Sequence, residues 1–172
     1  MSKTQTKRFS IESYKTQFEE VYEARLRPSL IKRLSIYAIG FVRRTGVKVV
    51  ELESGRVLCR MPLKGNVNHI KTMYAGALFT LAEFPGGPLM LATFGIKRFI
   101  PIVTSLDLDF VKAAKTDVTI ELTLTPAEIE RIERETLEQG KSEFVVDGEL
   151  KDLDGNVVAR SRATYQMRPK RR

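Results

Sequence analysis

The chain has 172 residues, of which 42% are hydrophobic and 29% are charged. These proportions are typical of one globular domain and exclude a disordered chain. The formal net charge of +8 favours an anionic partner, such as nucleic acid, a membrane surface or a phosphorylated small molecule. Charge alone does not choose among these partners, and part of the excess lies in basic termini, which are usually only solvated.

Cys59 is the single cysteine, so an intrachain disulfide and a zinc site built on several thiolates are excluded. It lies in a strand-like run, which favours a buried, inert thiol. The N-terminus carries no apolar core of a signal peptide, and the apolar stretch 85–94 is too short and too rich in Gly and Pro to span a bilayer. We therefore expect a cytoplasmic protein that does not enter a membrane.

The first 45 residues are predicted to form a helical extension, packed on a domain that spans residues 46–172. Apolar residues up to Leu26 recur at helical spacing, Pro28 interrupts the pattern, and a second amphipathic helix is expected to end near Gly40. Neither helix has the signature of a recognition helix, so binding to nucleic acid is not expected.

Strand patterns dominate the rest of the chain, and turn signals such as Asp154-Gly155 join neighbouring strands as hairpins. An antiparallel sheet is therefore expected. In the third strand we expect Val103 to share a solvent-exposed face with Ser105, Asp107 and Asp109. The predicted strands span residues 47–52, 56–61, 103–110, 118–124, 141–151 and 156–167.

A charged helix is predicted between the fourth and fifth strands. Thr125, Pro126 and Glu128 are typical of a helix start, and Gly140 is typical of a helix end. We interpret this helix as a surface insertion whose only apolar residues available for burial are Ile129, Ile132 and Leu137.

One long apolar helix is predicted from Tyr74 to Phe94, with a kink or break at residues 85–88, where Pro and Gly cluster. It follows a polar loop that contains Asn68 and holds a single carboxylate, Glu83, among apolar side chains. The predicted fold class is therefore α+β, with a curved antiparallel sheet wrapped around this central helix.

The central stretch resembles the hotdog-fold thioesterase superfamily. Asn68, the sequence Tyr74-Ala75-Gly76 six residues later, and Glu83 seven residues after Gly76 are similar to the pattern of the small acyl-CoA thioesterases of the phenylacetate-pathway-like group. The chain resembles still more closely an uncharacterised, thioesterase-like branch in which the acid is Glu, followed by a Gly-Gly pair. It departs from the family where Tyr74 replaces a His, where Ala75 replaces a Gly, and at Ala113, where Pro is common.

The resemblance implies hydrolysis of an acyl-CoA or acyl carrier thioester, without a cofactor other than the coenzyme A of the substrate. It implies that Glu83 activates water, that Asn68 orients the water or the carbonyl, and that the amide of Gly76 helps to bind the oxyanion. The residues expected to contact the substrate are Tyr74, Ala75, Phe79, Thr104 and Ser105. Phosphates of coenzyme A would need basic side chains, for which the candidates are Lys97, Arg98, Lys112 and Lys115.

Glu83 lies seven residues beyond Gly76, which is about 10 Å along a helix axis. It is therefore poorly placed to serve its own helix start, and we expect a homodimer, possibly paired into a tetramer, in which Glu83 of one chain serves the helix start of the other.

Other interpretations remain open at this stage. Glu83 could be peripheral or salt-bridged, Asn68 could be a turn residue, and the protein could be a non-catalytic acyl-CoA-binding or regulatory hotdog protein. A hotdog dehydratase is disfavoured because no His lies on or just before the helix. His69 is the single histidine, so a metal site is not expected.

Overall fold

The computed structural model describes residues 27–95 and 98–170. The helix predicted before Leu26, and Lys97, lie outside these residues. The helices are α1 (Arg27–Ala38), α2 (Gly40–Thr45), α3 (Ala75–Glu83), α4 (Gly86–Phe94) and α5 (Pro126–Gln139). The strands are β1 (Lys48–Glu53), β2 (Arg56–Met61), β3 (Phe99–Phe110), β4 (Val118–Thr123), β5 (Ser142–Lys151) and β6 (Val157–Pro169).

The six strands form one sheet in the order β1-β2-β4-β5-β6-β3. Every neighbouring pair is antiparallel, and the pairs β1–β2 and β5–β6 are formed by strands that are consecutive in the chain. β1 and β3 are the two edges. The predicted α+β class, with an antiparallel sheet around a long helix, is confirmed.

The core lies between the inner face of the sheet and the helices α3 and α4. Leu81 and Leu89, one on each helix, are fully buried, and β5 alternates buried and exposed residues along its whole length. Ile31 of α1 and Val42 of α2 belong to the same core. The stretch 75–94 is long and apolar enough to cross a membrane, but 67% of its most apolar window is buried inside the fold.

The third strand carries a β-bulge at Thr104, which corrects the predicted alternation. Val103 pairs with Tyr165 while Ser105 pairs with Thr164, so one extra residue is inserted on β3. Val103 therefore packs against the core, and the prediction that it shares the exposed face of Ser105, Asp107 and Asp109 was wrong.

Helix α5 begins with the predicted capping box, in which the Thr125 hydroxyl accepts from the Glu128 amide and the Glu128 carboxylate accepts from the Thr125 amide. Ile132 is fully buried as expected, but the next buried residue is Thr136, whereas Leu137 is 59% exposed. Two of the fourteen residues of the helix are buried, which agrees with a surface insertion, but Thr136 takes the buried position that was expected for Leu137.

The central helix is broken between Glu83 and Gly86. Pro85 has no N–H to continue the helical hydrogen bonds, and α4 restarts at Gly86. Gly86 faces the ring of Tyr165: a Cβ placed there would overlap the Tyr165 hydroxyl and ring carbons. A glycine is therefore required at this position because a tyrosine side chain fills the space next to it.

Replacing Gly86 by Ala should destabilise the protein by about 1–3 kcal/mol, because the new methyl group displaces a buried aromatic ring. The matched control is Gly87→Ala, because a Cβ at Gly87 meets nothing within 4 Å. It should stabilise α4 by about 0.5–1 kcal/mol, the usual gain of Ala over Gly within a helix. Urea denaturation of both variants measures the difference, and equal free energies of unfolding would contradict the tight contact.

Candidate active site

The start of α3 is fixed by hydrogen bonds to two neighbouring loops. The amide of Tyr74 donates to the Asn66 carbonyl at 2.7 Å, and the amide of Met73 donates to the Ala114 carbonyl at 2.8 Å. The Asn66 side chain in turn donates to the carbonyl of Thr45 at 2.7 Å. The helix start therefore has a defined position relative to α2 and to the segment after β3.

The first two amides of α3 have no acceptor among the described residues. The helical bonding begins with the amides of Ala77 and Leu78, which both donate to the Tyr74 carbonyl. The N–H groups of Ala75 and Gly76 are thus free at the positive end of the helix dipole. Free amides of this kind suit a developing oxyanion.

The Tyr74 side chain packs on Gly76. A Cβ built on Gly76 would lie 2.5 Å from Tyr74 Cε1, so glycine is needed here for the ring to lie against the backbone. The ring itself is 59% exposed. It covers one side of the first helical turn, at the position where the resembled family has a histidine.

Asn68 organises the turn that precedes the helix. Its Oδ1 accepts from the amides of Ile70 at 3.0 Å and Thr72 at 3.1 Å, and its Nδ2 donates to the Thr72 hydroxyl at 2.8 Å. These bonds accompany the left-handed conformation of Lys71, whose φ is 64°. The side chain therefore has a structural function, and its amide retains one N–H for a further acceptor.

Asn68 and Ala75 line one shallow cavity of about 280 Å³. Its remaining lining comes from Met73, Leu78 and the segment 110–114. Lys112 is the basic residue that lines this cavity, whereas Arg98 pairs with Glu133 at 2.6 Å. Lys115 is exposed. Glu83 does not line this cavity, as expected from its distance along the helix.

Glu83 is the last residue of α3 and is half-buried. Among the described residues its carboxylate has no hydrogen-bond donor and no ion-pair partner. Burial raises the pKa of this carboxyl group above its ordinary value. Phe79 lies one turn earlier on the same face of the helix and is 47% exposed. Both side chains are therefore at least partly open to solvent.

Thr104 and Ser105 lie on the edge strand β3, at the bulge. The Thr104 hydroxyl donates to the Thr164 carbonyl at 3.2 Å, and both residues are exposed. They belong neither to the cavity near Asn68 nor to the exposed face of α3.

Sequence reasoning missed Tyr165, whose ring and hydroxyl lie against Gly86, three residues after Glu83. Its hydroxyl is buried without a hydrogen-bond partner, and burial together with the negative charge of Glu83 raises the pKa of the phenol. The Gly86-Gly87 pair was a signal that something approaches the helix closely. The sequence could not show that a tyrosine of the last strand does so.

Cys59 and His69 do not contribute to a site. Cys59 is fully buried, and burial raises the pKa of its thiol to about 12, so it stays protonated at neutral pH. His69 is exposed in the loop. Within residues 27–95 and 98–170, no three His, Cys, Asp or Glu side chains are grouped to hold a metal ion.

A larger depression of about 830 Å³ lies on the outer face of the sheet. Most of its charged side chains form ion pairs, such as Arg162–Asp147 at 3.0 Å and Arg160–Glu149 at 3.5 Å between neighbouring strands. Asp107 and Asp109, predicted to lie on a solvated strand face, are exposed there. The ion pairs between neighbouring strands therefore explain most of the charged side chains on this face.

Comparison with solved structures supports the fold and the general class of activity. A protein of unknown function from Pseudomonas aeruginosa, described as a "probable thioesterase", is 46% identical with a TM-score of 0.79, and the match covers 83% of this chain and 95% of that one. A Staphylococcus aureus thioesterase is 19% identical with a TM-score of 0.62, covering 76% and 100% of the two chains. A Haemophilus influenzae thioesterase is 12% identical with a TM-score of 0.63, covering 81% and 90%.

The last two likenesses show the hotdog fold alone, because the identities are low. No curated protein matches the chain. A family model described as "Domain of unknown function (DUF4442)" matches residues 27–167, a range that includes α1, α2 and all of the sheet except the last two residues of β6. The chain therefore belongs to the DUF4442 family.

Proposed function

We propose that the protein is a thioester hydrolase that acts on acyl-CoA or acyl carrier thioesters, with Glu83 as the general base. The observation that carries this proposal is the half-buried Glu83 carboxylate, which has no partner within the described residues. An unpaired carboxylate on an apolar helix costs free energy, and a function explains its presence. The thioesterases among the solved structures support the same reaction class.

The reaction needs a base, a bound water and an oxyanion site. Glu83 takes a proton from water, and the oxygen attacks the carbonyl carbon of the thioester. The negative charge that forms on the carbonyl oxygen is stabilised by the free amides of Ala75 and Gly76. The tetrahedral intermediate then breaks its C–S bond, the thiolate takes up a proton, and a carboxylic acid and a thiol are released.

Two copies of the chain are proposed to build each site. Glu83 lies two turns from Gly76, about 10 Å along the axis, so one chain does not bring its own base to its own amides. An antiparallel partner helix would place Glu83 of one chain beside residues 74–76 of the other. The exposed Phe79 supports this arrangement, because it provides an apolar contact on the same helix face.

The substrate is proposed to enter beside the start of α3. The cavity there is lined mainly by apolar side chains, which suit the thioester arm, and by Lys112, which suits a phosphate of coenzyme A. Tyr74, Ala75 and Phe79 would contact the substrate from the helix. Thr104 and Ser105 would also contact the substrate, from the edge strand β3 of the partner or of the same chain.

The number of sequence positions between Asn68 and Glu83 gives further support. Two structures of the Staphylococcus aureus thioesterase carry alanine in place of a glutamine and a glutamate that lie fifteen positions apart. Asn68 and Glu83 are separated by the same number of positions. We therefore propose that Asn68 uses its remaining N–H to orient the water or the carbonyl.

An acyl-CoA-binding protein without catalytic activity is the second candidate. It is favoured by Tyr74, which covers the helix start, and by Asn68, whose side chain is already engaged in the turn. The two candidates differ in turnover and share the binding site.

Glu83→Gln should reduce kcat at least about 100-fold, because it removes the base while keeping the shape of the side chain. Hydrolysis of a panel of acyl-CoAs, followed with a thiol-trapping dye, measures the change. The matched control is Glu143→Gln, an exposed glutamate on β5, which should keep the wild-type rate. Equal rates in wild type and Glu83→Gln would remove Glu83 from the mechanism, and no turnover of any substrate by the wild type would favour the binding protein.

Glu83→Gln should also stabilise the fold at high pH. Because burial raises the folded-state pKa above the ordinary 4.5, the folded protein binds this proton more tightly than the unfolded chain. Stability is therefore lost as the pH rises from about 4.5 through the folded-state pKa. Gln does not ionise, so Tm at pH 8 should exceed the wild-type value, and the difference should vanish near pH 4. A variant that is less stable at pH 8 would show that the carboxylate is paired.

A further inference from the structure

The Tyr165 hydroxyl is a buried donor without an acceptor. The residue is 1% exposed, and its oxygen makes no hydrogen bond in the described structure. The ring is held in place by stacking on Phe144 at a centroid distance of 5.9 Å and by the backbone of Gly86. A buried hydroxyl without a partner is costly, so it is rarely found without a reason.

The hydroxyl lies at the break between α3 and α4. The hydroxyl lies against Gly86, which follows Glu83 by three residues, so the phenol and the carboxylate are both near the C-terminal end of α3. Both polar groups lack a partner among the described residues. The bulge at Thr104 lies next to Tyr165 on the neighbouring strand, and bulges are common beside active sites.

Among the described residues, few ionisable side chains on the surrounding strands face α3. The strands packed around α3 are β2 to β6, and the titratable side chains on their inner faces are Cys59 of β2 and Tyr165 of β6. Cys59 is buried in the core and stays protonated. Within the described part of the chain, burial is the cause of the raised pKa of Glu83.

We propose that Tyr165 is a positioning residue, whose hydroxyl donates a hydrogen bond to the Glu83 carboxylate when that carboxylate turns to receive the attacking water. This inference rests on the proposed function of Glu83 as the base. The hydrogen bond would satisfy the buried donor and fix one carboxylate oxygen, leaving the other to take the proton from water.

The phenol is suited to this task because it remains protonated. Burial and the charge of Glu83 both raise its pKa, so at neutral pH it is a neutral donor. A hydrogen bond to the ionised carboxylate favours that ionised form and partly offsets the effect of burial on Glu83. Removing the hydroxyl should therefore make Glu83 harder to ionise.

Tyr165→Phe tests the proposal, because it keeps the ring and removes the donor. The acid limb of kcat/KM should move to higher pH by about 0.5–1 unit, and kcat should fall about 3–10-fold with little change in KM. Tyr37→Phe, at a tyrosine of α1 that is 64% exposed, is the matched control and should leave the profile unchanged. An acid limb that stays in place in Tyr165→Phe overturns the proposal.

A direct titration separates this proposal from the function on which it rests. The Glu83 carboxyl carbon, labelled with ¹³C and identified by its absence in Glu83→Gln, is titrated by NMR in wild type and Tyr165→Phe. A higher Glu83 pKa in the variant supports the pairing even if Glu83→Gln retains turnover, which would refute only the proposed function. An unchanged Glu83 pKa refutes the pairing even if Glu83→Gln is inactive.

A second variant covers the case in which Tyr165→Phe does not fold. A fluorinated tyrosine at position 165 keeps the ring and carries a more acidic hydroxyl, which is a stronger donor. It should lower the Glu83 pKa, the opposite direction from Phe. An unchanged or raised Glu83 pKa in this variant would overturn the proposal as well.

Discussion

A carboxyl group placed on the apolar central helix is the constraint on which the proposed site depends. Glu83 is held at the end of α3, half-buried and without a partner within the described residues, and burial raises its pKa. Such a group is unfavourable when ionised unless another molecule or side chain completes its surroundings. The candidates for that role are water, a substrate, a second copy of the chain and the hydroxyl of Tyr165.

The surroundings of Glu83 are set by the break in the central helix and by the last strand, which packs against that break. Pro85 ends the first helical segment, and Gly86 leaves room for the Tyr165 ring, which the last strand brings against the break. The bulge inserts Thr104 as an extra residue into the edge strand next to that tyrosine. The free amides of Ala75 and Gly76 lie two turns away, at the opposite end of α3. Base and amides are therefore on one helix but at different ends.

Much of the fold could be predicted from the sequence because its signals are local. Strand alternation, the Thr125 capping box and the break at residues 85–88 depend on neighbouring residues, and the structure contains all three. The bulge at Thr104 and the burial of Thr136 depend on contacts made across the sheet, so periodicity misplaced Val103 and Leu137. Tyr165 was missed for the same reason: its neighbour Gly86 is about eighty residues away in sequence.

The central claim, that each site combines Glu83 of one chain with the helix start of another, is tested most directly with a heterodimer. One chain carries Glu83→Gln and the other Gly76→Val, whose side chain collides with the Tyr74 ring. The two chains carry different affinity tags, so that the mixed dimer can be purified. Both homodimers should be inactive, while the mixed dimer should have one intact site and about half of the wild-type activity. A mixed dimer as inactive as its parents, or a wild-type protein that is monomeric and active, would contradict the claim.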